Sequence, residues 1–493
     1  MHLTAGLELA KKALPWSLDI TQSRKLEGAR ALSVLGLQLA LDFDSRVKQD
    51  AYFLKGASEV NAILRITGAI AALFLVPSRA PAEDWLKQIE HETAKVEAQI
   101  IALRHQIHQY PELSNREEKT AGLVADHVKK LGLEVKTGIA HHGVVALLKG
   151  GRPGPTIAVR ADMDALPVTE DTPLPFKSRV RASYLGQDVG VMHACGHDVH
   201  TAVQLGVASV LNSIRANIPG TIKFIFQPAE EGPPPPEEGG ARMMVKQGVL
   251  ENPKPEAIFG LHTFSELPVG VLGFTEGPAF AATDTFEVKI IGKQAHGAAP
   301  ELSVDPVVTA AQFVLALQTI RARILSPLEP SVITVGTIHG GQRHNIIPAE
   351  VTLSGTIRSY SDEVRNTVEE KFRNILKGVT AAAGATFEIV RYERGVPAVI
   401  NNPSLTRESI PALERVVGKE NVKRIPPTMG GEDFSYFANV IPGFFYRLGM
   451  VKPGTVSGGH HTPTFLADDS SVAVGIKAMS HLLLDYLGRR SKQ

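Results

Sequence analysis

A single cysteine, Cys195, stands in a chain of 493 residues, so no disulfide can close within it and cysteine usage is silent about the redox compartment. Net charge is nearly absent too. The formal balance is +1 at pH 7, with 21% charged residues and no sustained run of one sign. That removes the electrostatic footprint of a protein built to bind nucleic acid or an anionic membrane surface. Long apolar runs are also missing: the longest, near Gly68 to Val76, falls far short of the ~20 residues of a spanning helix. A polytopic membrane protein is excluded, and no membrane span is expected. There is no internal repeat, and the only low-complexity patch is the stiff segment Pro233-Pro234-Pro235-Pro236.

What is present begins with length, which suits two domains plus an extension. Residues 1–82 carry no recognisable motif except a signal-like segment over 65–82. It runs from Arg65 through the apolar stretch Ala69 to Val76 to the small-residue site Ala80-Pro81-Ala82. Two readings stay open. Translation starting near Leu64 would send the protein to the periplasm or outside the cell, whereas a buried helix in a longer leader would leave it cytoplasmic.

From Trp85 to Tyr110 apolar residues recur at three- and four-residue steps (Leu86, Ile89, Val96, Ile100, Leu103, Ile107), predicting a long amphipathic helix. A second helix is expected from Glu117 to Leu131. Short β-rich runs then alternate with helices: Gly143 to Leu148, Thr156 to Arg160, a helix from Thr201 to Arg215, Thr221 to Phe226, a short helix, and Ala257 to Leu261. This alternation predicts an α/β domain with a mixed, largely parallel sheet and helices on both faces.

Over 281–395 the order becomes strand, helix, strand, strand, helix, strand, the split βαβ arrangement of a compact ferredoxin-like α+β insertion. The catalytic domain is therefore expected in two parts, 83–280 and 396–493, closing with a helix from Ser471 to Leu487.

Acid and imidazole side chains fall at the ends of the expected strands. Asp162 and Asp164 follow one, Glu230 and Glu231 another, and His262 a third. In open α/β sheets the carboxyl ends of the strands line the ligand crevice, so these residues should converge. His193-Ala194-Cys195-Gly196-His197-Asp198-Val199-His200 packs three histidines, a cysteine and an aspartate before the helix at Thr201, and His460-His461-Thr462-Pro463 adds another candidate. One histidine alone would be an ordinary hydrogen-bonded residue, but the set points to a metal site. Thiolate, imidazole and carboxylate together suit zinc, manganese, cobalt or nickel.

Two such ions can share a water, lower its pKa towards ~7 and polarise an amide carbonyl. One carboxylate must then ligate and another stay free as proton shuttle. Glu230 and Glu231 suit this division if an extended backbone points them apart.

The segments Arg160-Ala161-Asp162-Met163-Asp164-Ala165-Leu166-Pro167, Met192-His193-Ala194-Cys195-Gly196-His197-Asp198, Gln227-Pro228-Ala229-Glu230-Glu231-Gly232, Gly260-Leu261-His262 and Gly430-Gly431-Glu432-Asp433-Phe434 resemble the aminoacylase/carboxypeptidase metallohydrolase family. They match in particular its amidohydrolase branch, which includes hippurate hydrolases and plant auxin-conjugate hydrolases. The resemblance runs from about Leu103 to Leu484 and implies two divalent metal ions in a catalytic domain interrupted by a lid that mediates dimerisation.

It further implies Cys195, His197, Glu231, His262 and His461 as metal ligands, with Cys195 as the bridge, Glu230 as general base and Asp164 as the carboxylate orienting a ligand histidine. In the insertion, His296 resembles the residue that stabilises the tetrahedral oxyanion, often from a partner subunit. The preceding Lys293-Gln294-Ala295 departs from the glycine-rich version of that segment. Asn345 and Arg358 resemble the residues that hold a substrate carboxylate, a task for which the planar guanidinium is well shaped.

The implied activity is hydrolysis of the amide bond of small N-acyl-amino acids by a homodimer or higher homo-oligomer. Two alternatives stand beside it: a dipeptidase or carboxypeptidase acting on short peptides, and a metal-binding protein that has lost activity.

Overall fold

The computed structural model of the protein describes residues 82–491; the extension and its signal-like segment, up to residue 81, lie outside the described residues. Helices α1 (Ala82–Gln109) and α2 (Glu118–Lys130) precede the pair β1 (Glu134–Ile139) and β2 (Gly143–Lys149) and the long strand β3 (Arg152–Asp162). A small hairpin, β4 (Arg181–Tyr184) and β5 (Gln187–Gly190), leads to helix α3 (His197–Ser213), then β6 (Pro219–Gln227), α4 (Gly240–Lys246) and β7 (Ile258–Pro268).

Strands β8 (Leu272–Phe274) and β9 (Gly277–Phe280) connect to a block of β10 (Ala282–Ile291), β11 (Ala295–His296), α5 (Pro306–Thr319), β12 (Ser331–Gly340), β13 (Ile346–Ile347), β14 (Glu350–Ser359), α6 (Asp362–Ala383) and β15 (Thr386–Arg394). The chain continues through β16 (Val399–Asn401), α7 (Pro403–Val417), β17 (Val422–Arg424), the short α8 (Ser435–Ala438), β18 (Gly443–Val451) and α9 (Ser470–Arg490).

The main sheet has eight strands in the order β1-β2-β6-β3-β7-β18-β8-β17. Its centre is parallel, β6 to β3 to β7 to β18, while the β1–β2, β2–β6 and β18–β8 pairs are antiparallel. The central strands read as unbroken apolar runs because side chains of alternate parity enter different cores. On β6, Ile222, Phe224 and Phe226 join one core and Ile225 the other; on β3, Ile157 and Val159 oppose Ala158 in the same way. The first core is closed by α2, α3 and α9 through Val124, Leu205 and Leu483, the second by α4 and α8 through Met244 and Phe437.

The block from β10 to β15 forms a separate antiparallel sheet, order β12-β14-β10-β15, with its own core. Phe313 and Leu317 of α5 and Phe372 and Leu376 of α6 pack there against Phe286, Val288 and Leu353. Both helices start where a side chain takes up their free N–H groups. Asp305 accepts from Val307 and Val308, and Ser361 accepts from Val364. The segment Pro306–Ile324 has the length and mean hydropathy, 1.2, of a membrane-crossing helix. One stripe of it, Ala310, Phe313, Leu317 and Ile320, is spent on this core, so it is a layer helix of the α+β unit.

Two local expectations need correcting. Helix α3 begins at His197, not Thr201, so His197, Asp198 and His200 lie in its first turn. Gly196, at φ 88, lets the chain turn directly from Cys195 into the helix, and a Cβ there would lie 2.2 Å from Thr263 Oγ1. In the main sheet the strands β1, β8, β17 and β18 are additional to those expected. Of these, β18 is the informative one: Phe444-Phe445-Tyr446 is a short buried run of a kind that periodicity cannot assign to strand or helix.

Candidate metal centre

β3 and β6 end, and β7 passes beyond its pairing with β3, at the same end of the parallel sheet. There Asp162 closes β3, Glu230 and Glu231 follow β6, and His262 projects from β7. The start of α3 adds Cys195 and His197, and the loop between β18 and α9 adds His460 and His461. Ligand atoms of Cys195, His197 and Glu231 form one group within 4.8 Å of each other, and those of Cys195, His262 and His460 form another. The thiol is common to both, with its Sγ 3.5 Å from His262 Nε2.

The two imidazoles are held in one tautomer. His197 Nδ1 donates to the Asp164 carbonyl at 2.9 Å and lies 3.2 Å from Asp164 Oδ1, which leaves Nε2 as a buried atom with no hydrogen-bond partner. That Nε2 faces Asp162 Oδ2, Glu230 Oε2 and Glu231 Oε1, each 3.9 Å away. His262 Nδ1 donates to the Thr263 carbonyl at 2.6 Å and likewise turns Nε2 inward. Fixing the far nitrogen in this way is how a metal-binding imidazole is oriented.

His461, with φ 63, places Nε2 3.2 Å from Glu231 Oε1. Its neighbour His460 is also inside, Nδ1 3.7 Å from Cys195 Sγ, but its Nε2 accepts the Ser265 N–H at 3.3 Å.

Sequence reasoning left Arg160, His200 and the Glu432–Asp433 pair without roles. Arg160 is fully buried and donates to Asp162 Oδ2 at 2.7 Å and Asp433 Oδ1 at 2.9 Å, with Glu432 Oε1 at 3.0 Å. His200 Nε2 accepts the Thr263 N–H at 2.7 Å, so its Nδ1 carries the proton given to Asp162 Oδ1 at 2.6 Å. Asp162 is thereby engaged on both oxygens. The available signal was a charged residue inside an otherwise apolar strand, Arg160 in Ile157-Ala158-Val159-Arg160-Ala161, which burial forces to find carboxylates.

Glu230 and Glu231 both reach within 3.9 Å of His197 Nε2 and differ in their other partners, and no extended pleat separates them. Ala229 takes φ 53, and the chain turns there. Glu230 Oε1 accepts the Asp433 N–H at 3.3 Å while Glu231 faces His461. Burial, then the neighbouring Glu432 and Glu231, push the Glu230 carboxyl well above the usual range.

The inserted unit places the remaining candidates differently. His296 and Asn345 come together where β11 pairs with β13, and Gly297 N–H donates to the Asn345 carbonyl at 2.8 Å. His296 is exposed, and Asn345 Oδ1 is buried without a hydrogen-bond partner. Among the described residues no hydrogen bond or ion pair joins either of them to the ligand cluster. Arg358 on β14 is half-buried, with Nη1 3.7 Å from where a Cβ on Gly431 would lie, beside Glu432.

The cluster fits a pair of divalent ions. It has an orphaned buried imidazole nitrogen, a thiol central to two groups, and more carboxylates than the single guanidinium of Arg160 balances. Burial and then Glu231, Glu230 and Asp162 push the Cys195 thiol well up, an arrangement that a divalent cation reverses by holding thiolate directly.

Comparison with known proteins agrees. The chain is 39% identical over 404 residues to thermostable carboxypeptidase 1 of Saccharolobus solfataricus, covering 81% of this chain and 98% of that protein. It is 37% identical over 379 residues to the N-acetyl-L-cysteine deacetylase of Bacillus subtilis, covering 76% and 85%. A dinuclear metal-binding peptidase of Bacillus subtilis superposes with a TM-score of 0.67 at 34% identity, covering 80% of this chain and 99% of that one. The profile of peptidase family M20/M25/M40 matches residues 158–485, and the chain belongs to that family of metal-dependent hydrolases.

Proposed function

We propose that this enzyme hydrolyses the amide bond of small N-acyl-amino acids, releasing the free amino acid and a carboxylic acid. The observation that carries the reading is one buried thiol, Cys195, common to two ligand groups, with Glu230 beside them, its Oε1 taken by the Asp433 N–H and its Oε2 turned to His197. Cys195, His197, Glu231, His262 and His461 are the residues we assign to hold the ions. When bound, such ions acidify a water and polarise the amide carbonyl.

The protein supplies the rest. Glu230 Oε1 is tied to the Asp433 N–H, so Oε2 is the atom that takes the proton from water and returns it to the leaving nitrogen. Asp164 keeps His197 in one tautomer. From the inserted unit, His296 donates to the oxyanion, and Arg358 with Asn345 grips the substrate carboxylate. Closure of the unit over the cleft, or a second copy, is the route by which we propose that His296 and Asn345 meet the substrate.

Two tests follow. Purified, metal-loaded enzyme is offered N-acetyl-, N-benzoyl- and indoleacetyl-amino acids together with dipeptides, and release of free amino acid is measured. We expect turnover of at least one N-acyl-amino acid to exceed that of every dipeptide. Preference for dipeptides would instead favour the peptidase reading, which the carboxypeptidase relative supports. Absence of turnover on the whole panel would sink both.

The second test concerns assembly. α5 exposes Val307, Val308 and Leu315, an apolar surface that supports a homodimer through the inserted unit. Sedimentation should give twice the chain mass, falling to one chain in Val308→Glu/Leu315→Glu. A wild-type monomer at micromolar concentration would rule the dimer out.

A further inference from the structure

Glu117 is fully buried, stands at the start of α2 and does not cap that helix. A buried acid costs stability unless its oxygens are used, and the partners here are not in the helix. Its Oε1 accepts the Ala229 N–H at 2.8 Å and the Asn115 N–H at 3.1 Å. Both donors sit in the left-handed region, Ala229 at φ 53 and Asn115 at φ 61. Asparagine tolerates that region, whereas alanine does so at a cost and stays there only if its surroundings impose it.

The position of this strain matters because Ala229 immediately precedes Glu230. The residue on the other side is also held: Glu231 N–H donates to Asp164 Oδ2 at 3.0 Å, and Ser114 Oγ donates to the same oxygen at 2.7 Å. The backbone on both sides of Glu230 is therefore pinned to buried carboxylates, and the segment from Ser114 to Glu117 supports both ends. Room for the turn is made by Gly240, where a Cβ would lie 2.8 Å from the Ala229 carbonyl oxygen.

We infer that Glu117 is a positioning residue for the reaction: it holds Ala229 in the left-handed conformation that aims Glu230 at the water and Glu231 at the ions. The inference rests on the general-base reading of Glu230 given above. Glu117 acts through Oε1, the one oxygen that accepts both N–H groups. Burial and the nearby Asp164 push its carboxyl up to about 8, and glutamine keeps an oxygen in the accepting position.

The experiment compares Glu117→Gln, Glu117→Leu and Glu117→Leu/Ala229→Gly as metal-loaded full-length enzymes. The readouts are kcat, KM, bound metal and the crystallographic φ of residue 229. Gln keeps the acceptor oxygen, so kcat should stay within about threefold of wild type. Leu removes it, and kcat should fall at least about tenfold with KM nearly unchanged, as expected when one strained backbone residue is released. Adding Ala229→Gly removes the strain, because glycine populates positive φ freely, and should recover most of the loss.

Should Glu117→Leu not fold, Glu117→Asp serves in its place, since it keeps the charge but withdraws the oxygen by one methylene. Unchanged kcat in Leu or Asp, loss in Gln equal to that in Leu, or no recovery with glycine would each overturn the inference. So would a residue 229 that keeps φ near 53 in Glu117→Leu. Because that last readout needs no turnover, an inactive wild type would count against the proposed reaction and leave the positioning role to be decided by the backbone.

Discussion

Glu230→Ala is expected to lower kcat by about 10²- to 10⁴-fold, the range that general acid–base catalysis contributes, while both metal equivalents stay bound. The two effects separate because of the turn at Ala229. Both face His197, but Glu231 also faces His461, whereas Glu230 Oε1 is tied to the Asp433 N–H. Removing Glu230 therefore takes away a proton carrier and no assigned ligand.

Burial and the adjoining Glu432 raise that carboxyl above the ordinary range, and its free Oε2 faces His197. Glu230→Gln should lose nearly as much, since the amide can still accept from the Asp433 N–H but cannot take a proton. Steady-state kinetics together with metal analysis decide the matter. A Glu230→Ala enzyme within tenfold of wild type would remove it as general base, and an enzyme that had also lost its metal would make it a ligand.

Cys195→Ser should be as damaging for a different reason. The thiol is shared by the two ligand groups, so its loss weakens both ions where loss of His262 would weaken one. Serine matches the size but is far less easily deprotonated and is a harder ligand, poorly suited to bridging ions of the zinc type. Bound metal should fall from two equivalents to one or fewer, and kcat/KM should drop by at least about 10³, an outcome of the kind expected when the water-activating ions are lost. Excess metal should not restore the variant, although it should restore chelator-treated wild type. If Cys195→Ser binds two ions and turns over normally, the thiol is only a small buried side chain and the bridge must be sought among the carboxylates.

The acid and imidazole positions were legible because the chemistry leaves few choices. Candidate ligands were expected at the carboxyl ends of apolar strands, and Asp162, Glu231 and His262 stand there, although Asp162 is taken up by Arg160 and His200. Arg160, by contrast, drew no role from the sequence. Only the packed sheet brings Asp433, 273 residues away in sequence, to its guanidinium. His460 and His461 are equally plausible ligands in sequence; in the structure the Ser265 N–H occupies Nε2 of the first, whose Nδ1 lies 3.7 Å from Cys195 Sγ, and the Glu231 carboxylate faces the second.

By itself, then, the sequence determined the α/β class, the inserted α+β unit and the kinds of side chain gathered at the strand ends. These follow from periodicity and from residue chemistry, which are local properties. The tertiary structure decided how Glu230 and Glu231 diverge, which oxygens and nitrogens are left free, and that Glu117 holds the turn between them. Those depend on backbone torsions and on contacts between residues more than a hundred positions apart, such as Glu117 with Ala229. No local pattern encodes a single left-handed alanine; it exists only because a buried carboxylate from another element waits for its N–H.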